Sequence, residues 1–174
     1  MNRKDSERRL IILLGPTAVG KTDYSISLAK QYNSPIISCD SRQIYKEMRI
    51  GTAVPSPEQL SAVRHYFIQT KSVTEYYTAG MFELEALELI ESLFAKGHET
   101  LVMSGGSMFY IDAVCNGMAD VPPADMALRE ELTAQLQSLG AETLAERLKE
   151  LDPTAYEAID RSNGMRVLRA LEVC

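Results

Sequence analysis

The stretch Gly15-Pro16-Thr17-Ala18-Val19-Gly20-Lys21-Thr22 reads G-x-x-x-x-G-K-T. It lies between Leu10 to Leu14, a continuous apolar run of strand length, and an amphipathic helical pattern that begins at Thr22. A buried strand, a glycine turn and a helix N-terminus in that order aim a row of backbone N–H groups at one anion. Gly15 and Gly20 permit turn conformations and close backbone approach that a side chain would hinder. Lys21 can reach outer phosphate oxygens, and the Thr22 hydroxyl suits a Mg²⁺ ligand. The pattern therefore predicts a phosphorylated ligand on residues 15–22 and leaves the reaction open.

The rest of the chain repeats the alternation of strand and helix. The P-loop helix is expected from about Thr22 to Tyr32, with Ser25, Leu28, Ala29 and Tyr32 on one face, and Asn33-Ser34-Pro35 breaks it. Ile36-Ile37-Ser38 is a short strand ending in Cys39-Asp40-Ser41-Arg42-Gln43. Gly51 to Pro57 reads as an irregular connection, and His65 to Gln69 as a weak strand. Thr78 caps a helix running to Lys96, with Phe82, Ala86, Leu89 and Leu93 at core spacing and Gly97 as its stop. Leu101-Val102-Met103 is a further strand, leading into Ser104-Gly105-Gly106-Ser107. This order predicts an α/β fold, a P-loop NTPase-like, mostly parallel sheet with flanking helices.

From about residue 120 the character changes. Prolines interrupt 120–125, and leucine stripes follow: Leu128, Leu132, Leu136 and Leu139 up to Gly140, then Leu144, Leu148 and Leu151. Asp152-Pro153 is an N-cap and N1 pair, and Met165 to Val173 begins another helix. Residues 1–119 are read as the P-loop core and 120–174 as a helical insertion subdomain. The strand count falls short of the five or so usual for such a sheet, and the last helix reaches Cys174 with neither cap nor glycine. Both features lead us to expect a fragment of something longer.

Composition narrows the class. With 174 residues and 45% hydrophobic content the chain can bury a good core. A net charge of −6 argues against a generally basic nucleic-acid-coating surface, though not against a local basic strip. Cys39, Cys115 and Cys174 have no metal-like spacing and suit a reducing compartment. His65 and His98, the only two histidines, are too scattered for a metal site. With no signal-peptide core and no apolar run of membrane-spanning length, a cytoplasmic protein without membrane contact is expected.

The strand-end loops carry the chemistry. In open α/β sheets these loops line the ligand crevice, which places Asp40 on the same rim as the P-loop. A carboxylate there can hold Mg²⁺ or accept a proton from a nucleophile; it can equally cap the turn that follows. An apolar strand ending in Asp, the Walker B pattern, is otherwise missing, because residues 101–103 lead to Ser-Gly-Gly. That loop reads either as room for a close ligand or as a tight turn. Arg166 and Arg169, three apart on one helix, suit phosphate contact or a solvated face, and Arg129 has the same ambiguity. Cys39 and Cys115 read as packing rather than nucleophiles.

Together GPTAVGKT at 15–22, IISCDSRQIYKEMRIGTAVPSPEQ at 36–59, YYTAGMFELEA at 76–86, SGGSMFYIDAV at 104–114 and MRVLRALEV at 165–173 closely resemble the tRNA dimethylallyltransferases, or isopentenyl-tRNA transferases. The resemblance covers nearly the whole chain, in order. It implies transfer of a dimethylallyl group from dimethylallyl pyrophosphate to N6 of the adenosine beside the tRNA anticodon. The P-loop, Gly15 to Thr22, would then hold the prenyl pyrophosphate, with Mg²⁺ at Thr22. Asp40 falls on the family's general base, and Thr22 and Lys21 fall beside the leaving pyrophosphate. Asp40, Ser41, Arg42, Gln43, Ser107, Arg129, Met165, Arg166, Val167, Leu168 and Arg169 fall on positions expected to contact tRNA, in a monomer.

Three departures stand out. Ser107 replaces a usual Thr, Met165 replaces a common Gln, and residues 65–69 differ from the usual run. The family's C-terminal part, with a further catalytic arginine, is absent from these residues. The motifs alone leave room for an adenylate (AMP) prenyltransferase, for a P-loop small-molecule kinase using ATP, and for a chain that binds without turnover.

Overall fold

The apolar runs become four parallel strands in the computed structural model, which describes residues 7–118 and 125–174. These strands are β1 (Arg9–Leu14), β2 (Ile36–Ser38), β3 (His65–Tyr66) and β4 (Thr100–Gly105). They lie in the order β1-β4-β2-β3. β4 is flanked on both sides, so its centre is apolar, and Leu101, Val102 and Met103 are fully buried. The register matches Leu14 with Gly105 and Ser38 with Ser104, so the carboxyl ends of β1, β4 and β2 finish level. The sequence predicts β1 as a buried strand. Here it forms an edge of the sheet among the described residues, and Leu14 is 48% exposed.

The helices α1 (Lys21–Gln31), α2 (Pro57–Ala62), α3 (Ala79–Ala95) and α4 (Met108–Asn116) complete this first unit, which spans Met1–Met118. α1 buries Ser25, Ile26 and Ala29, while Tyr32 faces solvent. Its inner face is thus turned from the expected stripe, because Tyr32 is already the C-cap. β3 is shorter than the expected strand because Phe67 and Gln69 adopt φ of 59° and 51°, which ends the extended run. α2 was not anticipated, although Ser56-Pro57-Glu58-Gln59 carries its signal. The Ser56 hydroxyl accepts from Gln59 N while the Gln59 side chain accepts from Ser56 N, a capping box with Pro57 at N1. Thr78 caps α3 as expected by accepting from Met81 N. Phe82 from α3 stacks on Tyr110 with centroids 4.4 Å apart and meets Phe67 edge-on at 5.1 Å.

The second unit, Ala119–Cys174, has its own core. The proline-bearing stretch 120–124, expected at the boundary, lies outside the described residues. α5 (Met126–Leu151) is two helical stretches joined at Gly140, whose φ of 83° breaks the helix where the stripe predicted a stop. α6 (Pro153–Ala158) starts from the Asp152 cap, which accepts from Ala155 N, and α7 (Gly164–Leu171) follows. Leu132, Leu144, Leu148, Val167, Leu168 and Leu171 fill the centre. Leu139 and Leu151, the last members of each stripe, end their helical stretches and are more than half exposed.

One polar group is sealed in this unit. The Glu172 carboxylate is fully buried and accepts from Arg129 Nε at 2.6 Å, Arg129 Nη2 at 3.3 Å and Arg169 Nη1 at 2.8 Å. Removing one partner of a buried ion pair costs about 3–5 kcal/mol. The arginines keep some solvent here, so Glu172→Gln is expected to cost roughly 2 kcal/mol, read as a lower denaturant midpoint with an unchanged slope.

Candidate functional site

Three loops meet where β1, β4 and β2 end. The first is residues 15–20. Ala18 and Gly20 take φ of 68° and 86°, with Val19 between them outside the left-handed region. Alternation of this kind turns successive N–H groups to one side and forms an anion-binding concavity. Gly20 is the N-cap of α1 and supplies no side-chain cap, so no side chain competes for the first-turn N–H groups. Lys21 Nζ folds back onto the Pro16 carbonyl of the same loop. The Thr22 hydroxyl has no protein partner among the described residues.

The second loop follows β2. Asp40 Oδ1 accepts from Arg42 N at 2.9 Å and Gln43 N at 3.2 Å, so this carboxylate does cap the turn after it. Its Oδ2 has no partner among the described residues. One oxygen fixes the orientation and the other is open. Gln43 is occupied differently: its amide donates to the carbonyls of Thr52 and Ala53, both at 2.9 Å, and so clasps the loop shut. Arg42 is exposed.

The third loop leaves β4. A Cβ on Gly105 would stand 2.3 Å from the Cys39 carbonyl oxygen, so the glycine makes room for backbone rather than for a ligand. Ser107 N donates to that carbonyl at 3.2 Å. The Ser107 hydroxyl accepts from Ser41 N at 2.7 Å and donates to Ser41 Oγ at 3.0 Å, tying the third loop to the second. Gly106 would place a Cβ 3.4 Å from the Gly15 carbonyl, which brings the third loop against the first. Ser107→Ala is expected to lower turnover about thirtyfold by loosening this tie, since the two bonds lost are worth about 1 kcal/mol each. Ser107→Thr, which keeps the hydroxyl, should restore it in a steady-state assay.

Two further groups border Asp40. Burial pushes the Cys39 thiol up to about 12, and the charge of Asp40 adds to the effect. Cys39 thus stays a protonated packing residue at neutral pH, as its sequence context predicts. Burial likewise pushes the Tyr110 phenol up to about 12, with Tyr45 and Asp40 contributing. Sequence reasoning missed Tyr110; its place three residues after Ser107, on the first turn of a helix leaving a strand end, was the available signal.

The remaining sequence-predicted residues lie in the second unit. Arg129 and Arg169 are both engaged by Glu172. Val167 and Leu168 are fully buried core residues, so their side chains are closed to an RNA contact. Met165 and Arg166 are exposed. Arg166 and Arg169 do project together, lining one cleft of about 570 Å³ with Asp152 and Ile159. No group of three or more His, Cys, Asp or Glu is arranged to hold a metal among the described residues. No helix among them is long and apolar enough to cross a membrane.

The chain is 49% identical over 165 residues to tRNA dimethylallyltransferase 2 of Parabacteroides distasonis, covering 95% of this chain and 55% of that one. Among solved structures it matches the full-length tRNA isopentenylpyrophosphate transferase of Bacillus halodurans, with 38% identity and a TM-score of 0.61 over 96% of this chain and 55% of that one. A eukaryotic dimethylallyltransferase acting on tRNA aligns with a TM-score of 0.80 at 26% identity, over 96% of this chain and 41% of that one. The chain therefore spans about half the length of the curated relatives it matches. The family model described as IPP transferase matches residues 43–174, and the chain belongs to that family.

Proposed function

We propose that these residues form the donor-binding and proton-accepting part of an enzyme that moves a dimethylallyl group from dimethylallyl pyrophosphate to N6 of the adenosine beside a tRNA anticodon. The observation that carries this reading is the Asp40 carboxylate, oriented by one oxygen and open at the other, beside a phosphate-type loop. In the step, adenine N6 attacks the allylic carbon and a C–N bond forms. The C–O bond to pyrophosphate breaks, its electron pair leaves with the oxygen, and the N6 proton passes to Asp40 Oδ2. An exocyclic amine is a poor nucleophile, so a positioned base contributes about 10²–10⁴-fold. Backbone N–H groups of residues 15–22 and Lys21 stabilise the charge that builds on the leaving group. Mg²⁺, when bound, would be held by the open Thr22 hydroxyl and pyrophosphate oxygens and would offset the same charge.

β4 ends in Ser-Gly and runs into Gly106 where an ATP-hydrolysing site would carry a carboxylate, which favours pyrophosphate departure over phosphoryl transfer. The target base must leave its stack to reach such a pocket. The test uses the full-length protein, offered dimethylallyl pyrophosphate or ATP as donor and tRNA or AMP as acceptor. A gain of one dimethylallyl unit on tRNA adenosine is the expected result. Prenylation of AMP alone, or phosphate transfer from ATP, would replace this reading with one of its competitors.

A further inference from the structure

The amino-terminal end of the same sheet holds a second cleft. Residues just ahead of three strands line it: Asn33 before β2, Arg64 before β3, and Lys96 and His98 before β4, joined by Lys30 from the last turn of α1. The cavity measures about 510 Å³. With β4 spanning about 20 Å at some 3.3 Å per residue, it is remote from the loops at the carboxyl ends.

Its charge runs against that of the molecule. The chain carries 24 acidic residues against 18 Lys and Arg, yet no Asp or Glu lines this cleft, while Lys30, Arg64 and Lys96 do. A lysine at a helix C-terminus is favoured by the helix dipole. Here, however, backbone groups already meet the terminal carbonyls: Ser34 N donates to Ala29 O at 2.8 Å and Asn33 N to Lys30 O at 3.4 Å. At the end of α3, Gly97 N donates to Phe94 O at 3.0 Å and His98 N to Leu93 O at 3.3 Å. Neither ammonium has an ion-pair partner among the described residues. The Arg64 guanidinium is held over the Tyr66 ring, 5.2 Å from its centroid. His98 Nδ1 lies 2.9 Å from the Asn33 carbonyl, which only accepts, so Nδ1 carries the proton and Nε2 is the open nitrogen.

We propose that this cleft is a binding site for a small phosphorylated ligand, separate from the P-loop. Arginine forks and lysine point charges are the groups that recognise phosphoryl oxygens. The volume falls within the roughly 300–1,000 Å³ of small-molecule sites. An open concavity of that size accommodates a nucleotide-sized molecule, whereas the backbone of a folded RNA would lie across its rim.

The experiment uses full-length protein with Lys21→Ala, which disables the P-loop, and isotope-labelled histidine. ADP is the probe, and the His98 signal is assigned with His98→Asn. The expected result is a saturable shift of the His98 signal. Adding Lys30→Ala and Lys96→Ala, both at exposed positions, should weaken that curve at least about tenfold while the circular dichroism spectrum stays the same. An unmoved His98 signal through millimolar ADP, an unaltered curve in the lysine variant, or a response to tRNA but not to ADP would each overturn the assignment.

Discussion

Asp40→Asn in the full-length enzyme is expected to cut prenyl transfer by about 10²–10⁴-fold while leaving the affinity for dimethylallyl pyrophosphate unchanged. The substitution separates the two tasks of this side chain. Asparagine keeps an acceptor for Arg42 N and Gln43 N, so the turn after β2 survives. What it loses is the anionic oxygen proposed to take the N6 proton. Asp40→Ala removes both, so it should be no more active and also less stable, by about 1 kcal/mol for the lost cap. Single-turnover measurement of the chemical step, beside equilibrium binding of the pyrophosphate, checks the separation. Turnover of Asp40→Asn within fivefold of the parent would remove Asp40 from the base role, and an unstable Asp40→Asn would mean that the cap had been disturbed too.

The second large effect is at Gly105. An alanine there must push a methyl group to 2.3 Å from the Cys39 oxygen and 2.5 Å from its carbon. Both are backbone atoms of the strand-end loop, which no rotamer change can move aside. Overpacking typically costs about 1–3 kcal/mol, and a clash against paired backbone belongs at the top of that range. Since about 1 kcal/mol shifts the midpoint by 2–4 °C at this size, a fall of roughly 6–12 °C is expected. The loss of activity should exceed the loss of folded protein, because the loop that must move is the one that presents Asp40. Gly106→Ala is the control. Its methyl group meets the Gly15 oxygen at 3.4 Å, a contact that a small shift relieves. Calorimetry on the pair would contradict this account if the two variants melted together.

How much of this the sequence disclosed depended on distance along the chain. The residue 15–22 loop, the strand into Asp40, the Thr78 cap and the Gly140 break are local patterns, readable from neighbours a few positions away. The Gly105 requirement was not, because the atom it makes room for belongs to Cys39, just past the end of a strand paired in parallel across a long connection. The same holds for Glu172, whose partner Arg129 is 43 positions away. For Arg129 and Arg169 the sequence leaves phosphate contact and a solvated face both open, because it cannot show that one carboxylate engages both. Val167 and Leu168 were drawn into the contact list by motif position, although their apolar character favoured the core, where they lie. The α2 helix is a different case, since its capping box was local and legible and was passed over.

The edge position of β1 has a mechanical consequence. A strand flanked on both sides is clamped, whereas β1 is paired with β4 alone among the described residues, and the residue 15–20 loop follows its end. Alternate N–H and C=O groups along Arg9–Leu14 point away from β4, a template that invites another strand. Residues 15–20 are thus mounted on a strand whose outer side is unpaired among the described residues.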